Sequence, residues 1–329
     1  MAEVATVSII VPTQRRLESL TLALLSALGQ IGVDNPVEVV VVDNDSEPSA
    51  QELVSNLACG APFPITYVHE PRSGVANARN AALEQAQGEW IAFLDDDEEA
   101  PPYWLARLLD IQRRFDADVV FGPVRGRAPE TLIKHRTYLE RFFSREGPAE
   151  AGLIDHPYGC GDSLVRRAAL PDPRHPFSAD RNRSGGEDDL LFGQMKAAGA
   201  RFAWAPEAYV WEDPIAERLS LRYALLRAFA YGQGPTQQSA SASPPDRLGV
   251  ARWMLIGLLQ TFAYGLVAAV KGVIRAPDRA FALDRAVRGL GKVLWWRAFV
   301  IDFYGRSLPP VASPAVAPAE GSPFRGMHA

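Results

Sequence analysis

The chain of 329 residues contains only two cysteines, Cys59 and Cys160. Two thiols cannot build a disulfide scaffold, and such sparing use of cysteine is typical of proteins from a reducing compartment. Residues 1–5 offer no basic segment ahead of an apolar core, so the sequence predicts no secretory signal. We therefore expect a chain that works on the cytoplasmic side of the cell.

Glycine is missing where several nucleotide-binding families need it. The first predicted strand-to-helix connection, residues 12–15, reads Pro-Thr-Gln-Arg. A dinucleotide-binding Rossmann unit would carry G-x-G-x-x-G at this point, and the Walker A pattern is absent as well. A sugar-nucleotide pyrophosphorylase would be expected to have a Gly- and Arg-rich loop here. These absences exclude the commonest phosphate-binding loops of α/β proteins.

Apolar runs of strand type alternate with segments of helical periodicity through the first 121 residues. The predicted strands are 7–11 (ended by Pro12), 37–42, 65–69, 90–94 and 119–121, and the predicted helices are 17–28, 49–58, 74–87 and 103–115. Alternation at these lengths predicts the α/β class, with a largely parallel sheet covered by helices on both faces.

Five carboxylates follow the fourth predicted strand directly: Asp95, Asp96, Asp97, Glu98 and Glu99. Like charges this close repel one another and, when partly desolvated, raise one another's pKa. The run is either a solvated acidic turn or the site of a divalent cation. Magnesium and manganese take oxygen ligands and are held by one or two carboxylates plus substrate phosphates. Because ligands of open α/β sheets bind beyond the carboxyl ends of the strands, the position favours the cation.

Several short motifs occur in a fixed order along the chain. They are Val-Pro-Thr at 11–13, Val-Val-Asp-Asn-Asp-Ser at 41–46, Ser-Gly-Val-Ala-Asn-Ala-Arg-Asn at 73–80, Phe-Leu-Asp-Asp-Asp at 93–97 and Gly-Gly-Glu-Asp-Asp-Leu at 185–190. The ordered set resembles the family 2 glycosyltransferases, inverting enzymes of the GT-A fold, over about residues 6–215. The resemblance implies a Rossmann-like mixed, mostly parallel sheet with helices on both faces, followed by a C-terminal helical tail.

The resemblance also implies a set of donor-binding residues. These are Pro12, Thr13, Arg15, Asp43, Arg79, Asp95 and Asp96. Asp43 would accept hydrogen bonds from the nucleotide base, since charge-assisted bonds are the stronger kind. The alternative is a strand-end turn residue or helix cap, an interpretation that fits Asp45 or Ser46 better. Arg79 would face the diphosphate or the base, unless it is only a surface arginine.

The same resemblance assigns the metal and the chemistry. Asp97 would bind Mn²⁺ or Mg²⁺, which offsets charge on the departing nucleoside diphosphate. Asp188 would be the general base that takes the proton of an acceptor hydroxyl, or else an acid that merely favours a helix start. Many relatives carry a histidine where this chain has Glu212, which either replaces it as a ligand or only touches the acceptor. Gly159, Gly161, Glu187 and Trp211 are expected on the acceptor side.

Charge is distributed unevenly between the two parts of the chain. Residues 1–214 carry 20 Lys+Arg against 33 Asp+Glu, whereas residues 215–329 carry 14 against 6. An anionic membrane surface is the natural partner for a basic, apolar tail, and nucleic acid is not expected because no dense basic run occurs. Residues 253–270 are uncharged and just long enough for a spanning helix, and residues 293–301 are typical of an interfacial helix. Alternatively, these helices pack on the catalytic domain or on a partner subunit.

These observations divide the chain into three regions. Residues 1–215 are the predicted catalytic domain, with a nucleotide-binding half at 1–122 and an acceptor-binding half at 123–215. Residues 216–307 are a helical, membrane-associating region, within which 235–245 resemble a mobile linker. Residues 308–329, rich in Pro, Ala and Ser, form a predicted disordered tail.

The sequence therefore predicts an inverting glycosyltransferase at the cytoplasmic face of the inner membrane. Its donor would be a nucleotide-diphosphate sugar, with a UDP-sugar as the first expectation. Its acceptor would be a saccharide, lipid-linked, in polysaccharide biosynthesis. Two other classes remain open: a catalytically silent membrane scaffold that keeps the GT-A fold, and a nucleotidyltransferase, which the first loop disfavours.

Overall fold

A computed structural model describes residues 6–182 and 185–301. In these ranges the strands are β1 (Val7–Thr13), β2 (Val37–Asp43), β3 (Ile65–His69), β4 (Trp90–Phe93), β5 (Glu98–Glu99), β6 (Val119–Phe121), β7 (Val124–Gly126), β8 (Gly152–Ile154), β9 (Ser163–Arg166), β10 (Phe202–Trp204) and β11 (Val210–Glu212). The α-helices are α1 (Leu17–Leu28), α2 (Gln51–Ala58), α3 (Val75–Gln85), α4 (Trp104–Phe115), α5 (Arg136–Phe143), α6 (Glu187–Ala197), α7 (Leu221–Ser241), α8 (Arg247–Val273) and α9 (Arg279–Val293). The predicted tail at 308–329 lies outside the described residues.

The main sheet is mixed and mostly parallel, as predicted. Its strand order is β3-β2-β1-β4-β9-β6-β10-β8. Strand β9 runs antiparallel to β4 and β6 on either side of it, and β8 runs antiparallel to β10. The remaining strands share one direction. Their carboxyl ends therefore meet along one edge, where ligands of open α/β sheets bind.

Helices cover both faces of this sheet. On one face, Ile9, Val39 and Val41 belong to a buried cluster with residues of α1, α2 and α4. On the other face, Ile10 and Val40 belong to a cluster with residues of α3 and α6. Continuous apolar strands fit this arrangement, because both sides of each strand are buried.

The predicted elements of the first 121 residues are confirmed, with ends that shift by no more than two residues. Proline 12 does not end the first strand, because β1 continues to Thr13. At Pro12 only β2 pairs with β1, since the pairing with β4 covers Val7 to Ile10. A proline without a backbone N–H is tolerated where one side of a strand lacks a partner.

A small second sheet, β5-β11-β7, lies beside the acidic run. Strand β11 pairs antiparallel with β5, which sets Glu212 opposite Glu98 and Trp211 opposite Glu99. This pairing brings the end of the predicted catalytic domain back to the residues that follow β4.

The C-terminal helices differ from expectation in two places. Residues 235–241, part of the expected mobile linker, belong to helix α7, which continues through Pro235. Thr236 donates a hydrogen bond from Oγ1 to the Lys292 carbonyl at 2.9 Å, which ties this part of α7 to α9. Residues 294–301 are not the expected interfacial helix, since only a 3-10 turn at Arg297–Phe299 forms there. The amphipathic segment is α9 instead.

Helix α9 is attached to the α/β part of the chain. The Tyr138 hydroxyl of α5 donates to Asp284 Oδ1 at 3.0 Å. Tyr138 and Leu139 also form a buried cluster with Ala224 and Ala280. Helix α9 thus packs on the α/β part of the chain, whereas much of α8, which contains the predicted segment 253–270, remains exposed. Packing of that segment on the predicted catalytic domain is therefore not confirmed.

Candidate active site

The carboxyl ends of β1, β2 and β4 bring the predicted donor-binding residues to one edge. Thr13 lies opposite Asp43 in the β1–β2 register. The Thr13 hydroxyl donates to Asp96 Oδ2 at 2.8 Å, so the acidic run after β4 adjoins the ends of the first two strands. Asp43, Asp96 and Pro12, the residue before Thr13, therefore lie in one neighbourhood.

Asp43 is fully buried and already well supplied with hydrogen bonds. Its Oδ2 accepts from the Ala50 N–H at 2.7 Å and from the Tyr67 hydroxyl at 2.9 Å. The first contact is at the start of α2, so Asp43 serves the helix start that the sequence had suggested for Asp45 or Ser46. That suggestion is wrong, because Asp45 accepts from the Ser46 N–H and pairs with Arg15. Base recognition by Asp43 stays a prediction.

Arg16 contacts the acidic run, whereas Arg15, the arginine that the sequence predicted at the site, does not. Arg16 Nη1 lies 2.9 Å from Asp96 Oδ1 and 2.9 Å from Asp97 Oδ2. Arg218 approaches Asp97 to 3.7 Å. Arg15 pairs with Asp45 instead and lowers the pKa of that carboxyl to about 2. No motif distinguishes Arg16 from Arg15, so sequence reasoning missed it.

Burial of the acidic run opposes its ionisation. Desolvation raises the pKa of Asp96 to about 6, although Arg16 partly opposes the shift. Desolvation also raises the pKa of Asp97, against the attraction of Arg16. Glu98 lies deeper, and burial together with Asp95 holds its pKa well above the usual range. This edge therefore concentrates carboxylates whose negative charge is only partly compensated by arginine.

Gly161 allows the glycine-rich loop at residues 159–161 to approach the acidic run. A Cβ at this position would lie 2.8 Å from both Asp95 Oδ2 and Glu98 Oε1, closer than real Cβ contacts allow. The Asp95 N–H donates to Glu98 Oε2 at 2.8 Å, which fixes the turn that presents both acids. Close backbone approach explains why glycine is needed here.

Arg79 joins the helix after β3 to the acids on both sides of the site. Its guanidinium lies 2.8 Å from Glu187 Oε1 and 3.3 Å from Asp95 Oδ1, and only 6% of its side chain is exposed. Burial raises the pKa of Glu187, Arg79 opposes that rise, and Asp188 adds to it. Arg79 is therefore not the surface arginine of the alternative interpretation, and it links the two predicted acidic motifs.

Asp188 lies in the first turn of α6 and faces the same glycine-rich loop. Its Oδ2 accepts from the Cys160 N–H at 3.2 Å, and its Oδ1 accepts from the Asp189 N–H at 2.9 Å. A Cβ at Gly159 would lie 3.4 Å from Asp188 Oδ2. Glu187, Asp188, Gly159 and Gly161, all predicted on or near the acceptor side, thus come together.

Arg145 holds this loop in place and carries no motif that sequence analysis could detect. Its guanidinium donates to the carbonyls of Gly159 at 3.1 Å, Gly161 at 2.5 Å and Gly122 at 3.1 Å. It follows α5 in the chain and reaches the site only through the tertiary fold. Arg145 is a positioning residue, since it acts through the backbone that meets Asp188.

Trp211 and Glu212 lie on β11, opposite Glu99 and Glu98 of the acidic run. Burial raises the pKa of Glu212 to about 8, and the charges of Asp97 and Asp95 contribute. Trp211 is half-buried and meets Tyr209 edge to face, with their ring centroids 5.5 Å apart. Glu212 therefore lies close enough to the acidic run for the charges of that run to oppose its ionisation.

The carboxylate oxygens at this edge suit a hard divalent cation that is also bound by phosphate oxygens of a substrate. Within residues 6–182 and 185–301, no group of three or more His, Cys, Asp or Glu side chains is arranged to hold a metal. Asp97 and Glu212 nevertheless offer carboxylate oxygens whose mutual repulsion a cation would relieve. One or two carboxylates plus phosphate oxygens is the usual way in which magnesium is held, so the residues fit this ion.

Asp162 lies beneath the site and gives a testable pH dependence. Its Oδ1 accepts from Trp104 Nε1 at 2.6 Å, and its Oδ2 has no hydrogen-bond partner among the described residues. Burial raises its pKa from 3.8 to about 7. Because the folded chain binds this proton more tightly, the stabilisation is fully present below pH 3.8 and is lost as the pH rises to about 7.

We expect Asp162→Asn to flatten this pH dependence, because an amide cannot ionise. At pH 8 the variant should unfold at a higher urea concentration than the wild type, and near pH 4 the two midpoints should converge. Urea unfolding at half-unit pH intervals checks this. Parallel midpoint curves for the two proteins would show that Asp162 does not carry the effect.

Comparison with known proteins adds an independent line of evidence. The family model described as "Glycosyl transferase family 2" matches residues 8–172, which is half of the chain. The succinoglycan biosynthesis protein ExoM of Rhizobium meliloti (strain 1021) is 40% identical over 197 residues, 60% of this chain and 63% of ExoM. The succinoglycan biosynthesis protein ExoO of the same strain is 28% identical over 345 residues, 98% of this chain and 95% of ExoO.

Solved structures share the fold at low sequence identity. The structure of S. aureus TarS 1-349 in complex with UDP has a TM-score of 0.51 at 18% identity, covering 87% of this chain and 90% of TarS 1-349. The structure of GalNAc-T7 with UDP, GalNAc and Mn²⁺ has a TM-score of 0.52 at 14% identity, covering 72% of this chain and 52% of that chain. Both likenesses concern the fold alone.

Proposed function

The chain belongs to glycosyl transferase family 2, and from this premise we propose that it is an inverting transferase that moves a sugar from a nucleotide-diphosphate donor to a saccharide acceptor. One observation carries the proposal. Acids from distant points of the chain, Asp43, Asp97 and Asp188, belong to a connected set of contacts at the carboxyl edge of one sheet. Thr13, Arg16, Arg79 and the glycine-rich loop provide the links.

The donor is proposed to bind along the β1–β2–β4 edge. Asp43 and Thr13 would meet the nucleotide base and ribose, with Arg15 at the rim. Arg79 would hold the diphosphate. Asp95 and Asp96, the first two acids after β4, would hold the ribose or sugar hydroxyls. Arginine suits phosphate because its planar donors match the oxygens in pairs. A UDP-sugar is the first candidate, and TarS, which was solved with UDP, supports that choice.

Asp97 is proposed to hold Mn²⁺ or Mg²⁺, with Glu212 as a second carboxylate ligand. When bound, the ion would supply positive charge beside the departing diphosphate. The presence of Mn²⁺ in the structure of GalNAc-T7 supports this choice of ion. Arg16 and Arg218 already lie at Asp97 and would contribute positive charge to the same region.

Asp188 is proposed as the general base. An ionised carboxylate can take the proton of an acceptor hydroxyl while that oxygen attacks the anomeric carbon. Attack opposite the departing diphosphate inverts the configuration at that carbon in a single displacement. The Cys160 N–H and the loop held by Arg145 fix the orientation of Asp188. Glu187, Gly159, Gly161 and Trp211 would line the acceptor.

The acceptor is proposed to be a lipid-linked saccharide in polysaccharide biosynthesis. The names of ExoM and ExoO support this class of pathway, although the match covers 63% of ExoM. Helix α8 is long and apolar enough to cross a bilayer by length and composition, and is largely unburied. Membrane association through the C-terminal region, at the cytoplasmic side of the inner membrane, would bring the cleft to such an acceptor.

Titration of the protein with UDP, with and without Mn²⁺, tests the donor site directly. We expect Asp97→Ala to weaken UDP binding at least about tenfold in the presence of Mn²⁺. Even substitution of a residue that only hydrogen-bonds to a metal ligand typically lowers metal affinity by about this factor. Without Mn²⁺ the variant and the wild type should bind alike. Asp110→Ala, an exposed acid on α4, is the matched control and should bind as the wild type does.

Equal Mn²⁺-dependent binding by Asp97→Ala and wild type would remove Asp97 from the metal site. A donor screen that measures sugar-nucleotide hydrolysis then tests the reaction itself. A catalytically silent scaffold would bind neither UDP nor Mn²⁺, and a nucleotidyltransferase would require a nucleoside triphosphate. Either result would contradict the proposed transfer.

A further inference from the structure

Helix α8 presents a continuous apolar surface to its surroundings. The outward side chains, here called the α8 stripe, are Leu255, Leu258, Leu259, Phe262, Leu266, Val270 and Val273. Phe262 is 80% exposed, more than most leucine and phenylalanine side chains of this protein. The stripe residues recur every three or four positions and so occupy one side of the helix. An exposed apolar patch of this extent marks a surface that meets a partner or a membrane.

Two polar side chains in the middle of α8, Gln260 and Thr261, point toward α9. Gln260 Nε2 donates to the Arg285 carbonyl at 2.7 Å, and Thr261 Oγ1 donates to the Ala286 carbonyl at 3.2 Å. Gly257 lets the two helices approach, since a Cβ there would lie 2.6 Å from the Gly289 carbonyl oxygen. The exposed side of α8 between Leu255 and Val273 is therefore apolar, because Gln260 and Thr261 face α9.

Helix α9 lies beside α8 along most of its apolar length. Gly257 meets Lys292 near one end, and Gly272 meets Arg279 near the other. The charged side chains of α9 are Arg279, Asp284, Arg285, Arg288 and Lys292. If α8 crossed a bilayer with its partner attached, these charges would enter the hydrocarbon, where ionised side chains are strongly disfavoured.

The catalytic body opposes such a crossing as well. Asp284, midway along α9, accepts a hydrogen bond from the buried Tyr138 of α5. Lys292 and Leu294, at the other end, offer their carbonyls to Thr236 and Gln233 of α7. Inserting the α8–α9 pair would therefore require α9 to separate from the body.

The C-terminal segment that contains α8 has a basic excess, which suits an anionic surface. Residues 246–301 carry nine Lys and Arg against three Asp. Arg247 and Arg252 are exposed toward one end of α8, and Arg275 is exposed just beyond the other. Trp296 is also partly exposed, and tryptophan favours the headgroup level. Basic residues beside an apolar helix face are what binding to anionic lipids requires.

We propose that α8 lies in the plane of an anionic bilayer surface, with the α8 stripe inserted to the acyl boundary and both ends on the same side. This inference rests on the membrane association proposed above and specifies its form. The attachment is monotopic: α9 shields the inner side of α8, and the catalytic body stays in water against the lipid headgroups.

Vesicle binding by the full chain tests the surface. We expect sedimentation with vesicles of phosphatidylcholine and phosphatidylglycerol in equal parts, and at least tenfold weaker binding to phosphatidylcholine alone. The double variant L258E/F262E should lose binding to the mixed vesicles. Leu25→Glu, a leucine 51% exposed on α1, is the matched control and should bind as the wild type does. Unchanged binding by L258E/F262E, or equal binding to both vesicle types, overturns the proposal.

Labelling from one side tests the orientation. Two variants, Arg247→Cys and Pro277→Cys, are made separately in a Cys59→Ser background. Arg247 is exposed at the start of α8, and Pro277 is exposed shortly beyond its end. In membrane vesicles with the cytoplasmic face outward, a membrane-impermeant maleimide should modify both positions as fully as in detergent. Protection of either position until detergent is added would show that α8 spans the bilayer.

Two further measurements separate this inference from its alternatives. Analytical ultracentrifugation should show a wild-type monomer, whereas a dimer that L258E/F262E dissociates would assign the α8 stripe to a second copy of the chain. UDP binding by L258E/F262E should equal that of the wild type. Intact vesicle binding without sugar transfer contradicts only the proposed function, and transfer without vesicle binding contradicts only the attachment.

Discussion

Asp188→Asn is expected to lower turnover by a factor of about 10² to 10⁴, the usual contribution of a positioned general base. The amide keeps the shape of the side chain and can still accept from the Cys160 N–H. It cannot take a proton from an acceptor hydroxyl. Nucleotide binding should stay near that of the wild type, because the contacts of Asp188 are to the glycine-rich loop and Asp189 rather than to the donor edge.

Asp189→Asn is the natural control for this variant. Asp189 is the next residue in α6 and carries the same charge, but its side chain is exposed. Its substitution should leave transfer within about twofold of wild type, since substitutions of exposed side chains outside a site have small effects. Steady-state kinetics with the donor identified in the hydrolysis screen, together with UDP titration, gives both quantities. Full turnover by Asp188→Asn would remove this residue from the mechanism.

Arg79→Met is expected to destabilise the fold by about 3 kcal/mol or more, because it leaves a buried charge without its partner. Glu187 keeps only 8% of its side chain exposed, and Arg79 is its ion-pair partner at 2.8 Å. Loss of the guanidinium also removes the link to Asp95. The urea midpoint at pH 7.5 should therefore fall markedly.

Two comparisons isolate the cause of that loss. Arg141→Met removes an ion pair with Glu146 in which both side chains are more than half exposed, and should cost less than about 1 kcal/mol. The double variant Arg79→Met with Glu187→Leu should recover much of the stability, because replacing both partners by apolar groups is often nearly neutral. No recovery in the double variant would mean that Arg79 stabilises the fold through other contacts, such as its position 5.5 Å from the Phe177 ring.

The elements that follow from local pattern were predictable from sequence. Residues 1–121 alternate apolar runs and helical periods, and the structure contains each predicted element. The rule that ligands bind at strand ends placed Asp43 and the acidic run at one edge. These predictions succeed because burial on both faces leaves a direct signature in consecutive residues.

Features that depend on contacts between distant segments were not predictable. Arg15 and Arg16 are identical in type, and a positive φ of 57° at Arg15 accompanies a turn after which only Arg16 reaches the acidic run. Arg145 reaches the glycine-rich loop only through the fold. Residues 235–241 resemble a linker because of Pro235, yet contacts with α9 keep them helical. In the last case tertiary packing overrides local propensity.

The position of β9 has a consequence for how the chain is made. This strand lies between β4 and β6 and pairs with both, although it follows them in sequence. Until residue 166 has left the ribosome, β4 and β6 therefore lack the strand that pairs with both of them. Unpaired strand edges promote association with other chains. These two strand edges therefore stay unpaired until about half of the 329 residues have emerged from the ribosome.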